Sequence, residues 1–504
     1  MISGKVRKSA VIAAFLAAAM LSACGGTPQP NVVVSVPETS SAASSQVETA
    51  TTEQPAASEA QTQTNADEAD RSYQKNADGT IAINYGAILH AWSWSFETIK
   101  NNLPAIKEAG YTSIQTSPIN ECKVGEDGGM ELYGNGKWYY HYQPTDYAIG
   151  NYQLGTEDEF KALCEAANAM GINIIVDVPL NHVSSDMSVV SDNIKNLCEN
   201  PFHENGEITS YSSRKQVTQG DLLGLHDLNT QDKAVQEYEL AYLKHCIEDG
   251  ASGFRFDAAK HVELPDDKES FASDFWPTVL DNGAKFQYGE ILQDETSRID
   301  AYAEYMGVTA SLYGDAIRRV CGGNFGTGNL DSYGSDKVDE SKFVTWVESH
   351  DNYCNDGTWE QYDESQIEYG WAVITARAGG TPLFFSRPAG SSTESQWGNN
   401  KIGEAGSDEY KSPTVSALNH FRNEMAGLGE NLTNPDGDAR QVLMIERGDK
   451  GAVIINGTQG EYSLDAPTVL ADGEYHDKIS EATFTVSGGK ISGKIPAGAI
   501  AVVY

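Results

Sequence analysis

In the stretch Gly253-Phe254-Arg255-Phe256-Asp257-Ala258-Ala259-Lys260-His261, Phe254 and Phe256 fall on one face of an extended segment and Arg255 and Asp257 on the other, because strand side chains alternate with period two. One face packs and the other is free for chemistry. An arginine at ion-pair distance favours the charged form of an aspartate, which is what a carboxylate nucleophile needs near neutral pH. A purely structural ion pair would use the same two residues.

Working outward, Thr230 is placed to cap a helix from Gln231 to Asp249, which Gly250 ends just before this strand. Earlier, Ile81 to His90 reads as a strand, Phe96 to Ala109 as a helix closed by Gly110, Tyr111 to Gln115 as a second strand and Ile172 to Val178 as a third. Later strands are expected at Phe286 to Gly289, Val308 to Leu312, Phe343 to Glu348 and Thr381 to Phe385. Eight strands alternating with helices predict an α/β fold, a closed (β/α)8 TIM barrel with its reactive groups at the C-terminal strand ends. An open doubly wound sheet would carry a Gly-rich phosphate loop after its first strand, and the sequence has none there.

Two stretches break the alternation. Between strand three and the helix at Gln231 lies a long polar segment without periodicity, too long for an ordinary connection, which predicts a small inserted domain at about 182–228. Beyond the barrel, placed at 79–425, residues 426–504 change to short apolar runs such as Gln441 to Ile445, Ala452 to Ile455 and Ala499 to Tyr504, the pattern of a C-terminal antiparallel β-sandwich.

The chain has 504 residues, 40% of them hydrophobic and 21% charged, enough for a large core. Its formal net charge of -37 argues against nucleic acid as a partner, since phosphates need clustered Lys and Arg. Lys5, Arg7 and Lys8 precede an apolar run from Ala10 to Met20, short for a bilayer span and typical of an export signal. Leu21-Ser22-Ala23-Cys24-Gly25-Gly26 resembles a bacterial lipobox. Residues 1–23 are therefore expected to be removed, Cys24 to carry lipid, and 24–78, rich in Ser, Thr, Ala, Gln, Glu and Pro, to be a disordered tether. The expected location is the bacterial cell surface, with the membrane touched only through the lipid anchor and part of the protein released to the medium. The other six cysteines show no metal-ligand spacing, and mostly free thiols are expected.

Other strand ends carry similar groups. Asp177-Val178-Pro179-Leu180-Asn181-His182 closes strand three, Tyr288-Gly289-Glu290 strand five and Glu348-Ser349-His350-Asp351-Asn352 strand seven. Any one alone could be a cap or a buried hydrogen-bond partner. Four such ends on one barrel converge on one pocket.

In order, spacing and residue type these four stretches resemble the signature regions of glycoside hydrolase family 13, the α-amylase family, and Leu223-Gly224-Leu225-His226-Asp227-Leu228-Asn229 resembles a further family motif. The similarity runs from about Ala82 to Tyr504 and is nearest the secreted bacterial members of the Bacillus subtilis type. It implies a monomeric, endo-acting, retaining hydrolase of α-1,4-glucosidic bonds in starch-type α-glucans. Asp257 matches the nucleophile, Glu290 the general acid/base and Asp351 the stabiliser of the distorted sugar, a pair plus helper that suits retaining chemistry. His182 and His350 match histidines that hydrogen-bond the sugar, and Tyr142 in Tyr142-Gln143-Pro144 the aromatic under it. Gln143, Arg255, Lys260 and His261 complete the substrate set. The resemblance also implies a structural Ca2+ bound by the side chains of Asn181 and Asp227 and the carbonyl oxygens of His261 and Thr218. Chloride-activated members carry Asn before the His-Asp pair; Ser349 stands here, so no chloride is expected. Two readings stay open beside the α-amylase: a related enzyme such as a maltogenic amylase, pullulanase or transglycosylase, and a non-catalytic glucan-binding lipoprotein.

Overall fold

A computed structural model describes residues 81–504 except 269, 295 and 331, so Cys24, the signal segment and the tether lie outside the described residues. The described residues all fall within one compact unit, Gln74–Tyr504. Among them no helix is long and apolar enough to cross a membrane.

Eight strands close into a barrel: β1 (Ile88–Ala91), β2 (Ser113–Thr116), β3 (Asn173–Pro179), β4 (Gly253–Asp257), β5 (Phe286–Gly289), β6 (Gly307–Thr309), β7 (Phe343–Trp346) and β8 (Thr381–Phe385). Every neighbouring pair, including β1 with β8, is parallel. Parallel strands covered by helices outside and side chains inside are buried on both faces, and β3 is buried at all of its positions. Register then decides the chemistry: Asp177 stands opposite Arg255, and Tyr288 opposite Arg255 from the other side. Gly253 permits this closeness, because a Cβ there would lie 2.3 Å from the Phe286 carbonyl oxygen.

Several expected boundaries move. The strand expected from Ile81 is only β1; Ile83–Tyr85 is instead a 3-10 turn. The strand expected to reach Leu312 stops at Thr309, and helix Ser311–Cys321 begins at once. The long helix starts at Lys233 with Asp232 as its cap, whose carboxylate accepts from the Ala234 amide at 2.8 Å. Thr230 is not free to cap, because its hydroxyl donates to Glu263 at 2.5 Å.

The inserted segment between β3 and this helix is pinned at its base by the antiparallel pairing of His182 with Asp227. A second excursion, unexpected from the sequence, follows β2: strands Asn120–Cys122, Pro144–Asn151 and Gly155–Thr156 form a small sheet of their own. After the helix Pro413–Glu424 come two four-stranded sheets, one of 430–433, 442–447, 451–456 and 500–503, the other of 462–467, 473–476, 483–487 and 490–495. Val442, Met444, Ile454 and Val503 of the first pack on Leu464, Phe484, Val486 and Ile491 of the second. The opposite face of the first sheet, with Leu443, Ile445, Val453 and Ile455, joins the barrel's core. The six described cysteines are free thiols.

Candidate active site

The Arg255 side chain is the centre of the site. Its Nη1 donates to Asp177 Oδ1 and Oδ2 at 2.8 and 2.9 Å and to Asp257 Oδ1 at 2.7 Å. Its Nη2 lies 3.0 Å from Glu290 Oε1. One planar, always charged guanidinium thus holds the carboxyls of β4 and of the β5 end side by side. Ala258, directly after Asp257, is in the left-handed region at φ 48°, and its amide donates to Glu290 Oε2 at 3.1 Å. A non-glycine residue there costs roughly 1–3 kcal/mol, strain of the kind that collects at functional sites.

Burial pushes the carboxyls of Asp257, Glu290 and Asp351 upward, and the Asp177 carboxyl up to about 7, while Arg255 pulls all four back. The charge of Asp257 raises Glu290 further, and those of Glu290 and Asp257 raise Asp351. Several carboxyls around one cation cannot all ionise, so the group holds protons as a set. The charge of Arg255, which the sequence assigned to Asp257, is thus divided among Asp177, Asp257 and Glu290.

The rings around this group come from distant loops. Tyr142 donates its hydroxyl to Asp177 Oδ2 at 2.9 Å, and its ring lies 5.1 Å from that of His350 with 8° between planes. His350 Nε2 is 3.6 Å from Asp351 Oδ2. His182 Nε2 lies 3.1 Å from the Tyr142 carbonyl oxygen. Burial lowers His182 to about 4 and carries His350 well down, so both are neutral hydrogen-bonding groups. Lys260 Nζ reaches Asp294 at 2.9 Å, and the His261 ring is held by the Val217 carbonyl oxygen at 2.8 Å. Gln143 stands apart: its Oε1 accepts from Ser184 and Ser185 at 3.2 and 3.3 Å, which ties it to the inserted segment. Arg255 likewise holds carboxylates rather than facing outward, so it is a positioning residue.

A second carboxylate group lies at the base of the inserted segment. Leu228 N donates to the Asn181 carbonyl at 3.0 Å, and the His261–Val217 contact brings the helix Arg214–Gln219, with Thr218, to the same place. Asp227 Oδ2 is 2.7 Å from His203 Nδ1, whereas Asp227 Oδ1 is buried without a partner among the described residues. Glu263 Oε1 is also buried and unpartnered there, 3.9 Å from His203 Nε2. Burial, then Glu263 and Asp221, push Asp227 well up. The sequence reading missed Asp177 as a functional partner, and also Glu263 and His203; only Asp177, the first residue of a quoted strand-end motif, carried a visible signal.

A model of the α-amylase catalytic domain matches residues 95–315. An α-amylase of Butyrivibrio fibrisolvens is 41% identical over 475 residues, covering 85% of this chain and 48% of that protein. One of Clostridium acetobutylicum is 39% identical over 435 residues, covering 83% and 54%. The chain thus spans about half the length of the curated relatives it matches. Among solved structures, wild-type α-amylase I of Eisenia fetida superposes with TM-score 0.69 at 21% identity over 83% of this chain and 97% of that one. The Geobacillus thermoleovorans α-amylase, complexed with acarbose, gives 0.65 at 18% over 84% and 98%. At those identities the likeness is one of fold.

Proposed function

The chain belongs to the α-amylase family of glycoside hydrolases, and from that premise we propose that it is an endo-acting α-amylase, hydrolysing α-1,4-glucosidic bonds of starch-type glucans with retention. The observation that carries this reading is the single guanidinium of Arg255 between Asp257 and Glu290 on neighbouring strand ends. Two carboxyls gripped by one guanidinium suit a retaining pair, in which one attacks the anomeric carbon directly and the other serves as acid and base. Asp257 attacks in its ionised form. Glu290, pushed up by burial and by the charge of Asp257, hands its proton to the leaving oxygen, and then takes one from the water that displaces the sugar from Asp257. Asp351, His182 and His350 contact the distorted sugar, and Tyr142 presents ring surface to its CH face.

A structural calcium ion is part of the proposal. Asn181, Thr218, Asp227 and His261 would hold it, and the donor set fits, since the buried, unpartnered Asp227 Oδ1 is a hard oxygen that needs a cation. The ion's contribution is to tie the inserted segment to the barrel. Lipid attachment at Cys24 is proposed too, supported by the sequence around it; Cys24→Ser should free active enzyme from membranes, and wild-type protein found wholly in the medium with another N-terminus rejects the anchor.

The test is NMR of fresh products together with a product time course on soluble starch. The α-anomer should appear before mutarotation, and the early products should be a spread of oligomers. A β-anomer formed first overturns the roles of Asp257 and Glu290; a single small product from the outset overturns endo attack.

A further inference from the structure

Outside the pocket, Tyr133 is the most exposed large hydrophobic side chain among the described residues, at 62%. A lone exposed tyrosine would need no explanation. This one is not alone. Its ring lies parallel to that of Trp397, 6.0 Å between centroids with 4° between planes. Trp397 in turn lies 6.4 Å from Trp92 at 24°, Trp92 is 5.6 Å from Trp138, and Trp138 is 6.0 Å from Tyr142. Rings therefore follow one another without a break from the protein surface to the residue that touches Asp177.

The outer pair is also held rigid. The two loops that carry it are laced by the Ile402 amide donating to the Met130 carbonyl at 2.8 Å and by an antiparallel bridge between Glu131 and Lys401. The Trp138 amide donates to the Leu132 carbonyl at 3.0 Å, which fixes the Tyr133 loop to the pocket wall. Gly136 is required for that loop, as a Cβ there would lie 2.4 Å from the Glu131 carbonyl oxygen. On the other side, the Gln396 side chain donates from Nε2 to the Cys354 carbonyl at 3.2 Å, next to Trp397. Aromatic side chains lose little conformational freedom on contact, and less when already fixed, so a pre-positioned exposed ring gains more from binding than a mobile one.

Resting on the glucan-hydrolase reading above, we propose that Tyr133 and Trp397 form an outlying sugar-stacking platform that extends the cleft beyond Tyr142 and favours long α-1,4-glucans. The CH faces of successive glucose rings suit flat aromatic surfaces, and only a chain long enough to leave the pocket reaches this pair. The platform sets length preference and takes no part in bond cleavage.

The test measures binding of maltoheptaose and of maltotriose by calorimetry, in Glu290→Gln protein so that neither sugar is consumed. Adding Tyr133→Ala should weaken maltoheptaose on the order of tenfold while changing maltotriose by less than about twofold. Tyr133→Phe, which keeps the ring, should restore the affinity for maltoheptaose. Trp397→Ala should act in the same direction, with a thermal melt to verify its fold. If Tyr133→Ala binds maltoheptaose as the parent does, the platform is overturned and the pocket reading stands. If the parent binds neither sugar, the glucan reading falls and the platform with it.

Discussion

The protein buries two groups of carboxyls, and their surroundings differ in charge. Around Asp177, Asp257 and Glu290 the cation is covalently part of the chain, since Arg255 reaches all three within 3.0 Å. Around Asp227 and Glu263 no Lys or Arg stands within ion-pair distance among the described residues; the group facing them is His203, which burial lowers to about 4 and so leaves neutral. Buried charge without a fixed partner is expensive. The first group shares its protons under a permanent charge; the second has no such charge, and it is this lack that the proposed calcium ion would fill.

The largest effect that would test this contrast is on the first group. Asp257→Asn keeps shape but removes the charge that attacks, and should lower kcat by several orders of magnitude, roughly 10³-fold or more, with the fold intact by circular dichroism. Glu290→Gln should be nearly as severe on starch but milder on aryl glycosides with good leaving groups, which need little protonation. Equal losses on both substrate types would take the acid/base role from Glu290. The pH profile follows from the raised carboxyls. Asp257 must be ionised, so kcat/KM rises with pH through its raised pKa; Glu290 must be protonated, so the rate falls again as pH passes its own. The acid limb should therefore lie above the ordinary aspartate value of 3.8, and a limb at or below it would show that Arg255 outweighs burial after all.

The difference between the groups also bears on what a sequence can reveal. Arg255 and Asp257 stand two apart on one strand, so period two alone puts them on one face, and the strand-end motifs carry Glu290 and Asp351 to the same rim. The eight barrel strands were visible as apolar runs, although β1 was expected too long because Ile81 to Tyr85 is apolar yet turns. The second group was legible only in part. Asn181 and Asp227 came through a family resemblance, but Glu263 shares His203 with Asp227 from a segment 36 residues away, with nothing periodic to announce it. The Tyr133 platform was hidden for the same reason, since Trp397 stands on a loop far along the chain. Thr230 failed as a cap because a tertiary partner, Glu263, took its hydroxyl.

A smaller effect is expected from the second group on removing its cation. Because a ligand bound only by the native state stabilises it by mass action, exhaustive chelation should lower the melting temperature by about 5 °C. Asp227→Asn should lose that response. An unchanged melt, in protein found free of calcium by elemental analysis, would remove the metal and leave the two groups differing only in their fixed charges.

The smallest effect concerns Glu263, and its sign is fixed by its surroundings. Burial raises its carboxyl to about 7, with the Thr230 hydrogen bond pulling the other way, against an ordinary value of 4.5. A carboxyl raised on folding contributes stability that is fully present below its unfolded pKa and is lost as pH rises through the folded one, here between about 4.5 and 7. Glu263→Gln keeps the shape and the acceptor for Thr230 but cannot ionise. In chelated protein the variant should therefore match wild type near pH 5 and exceed it near pH 8, by on the order of 1–2 kcal/mol in denaturant midpoints converted to free energy. Added calcium should shrink that gap, because a divalent cation beside Glu263 favours its ionised form and removes the penalty that the amide avoids. Parallel stabilities of variant and wild type across pH, with and without chelator, would mean that the Glu263 carboxyl titrates alike in the folded and unfolded chain, so that its burial leaves no penalty for a cation to relieve.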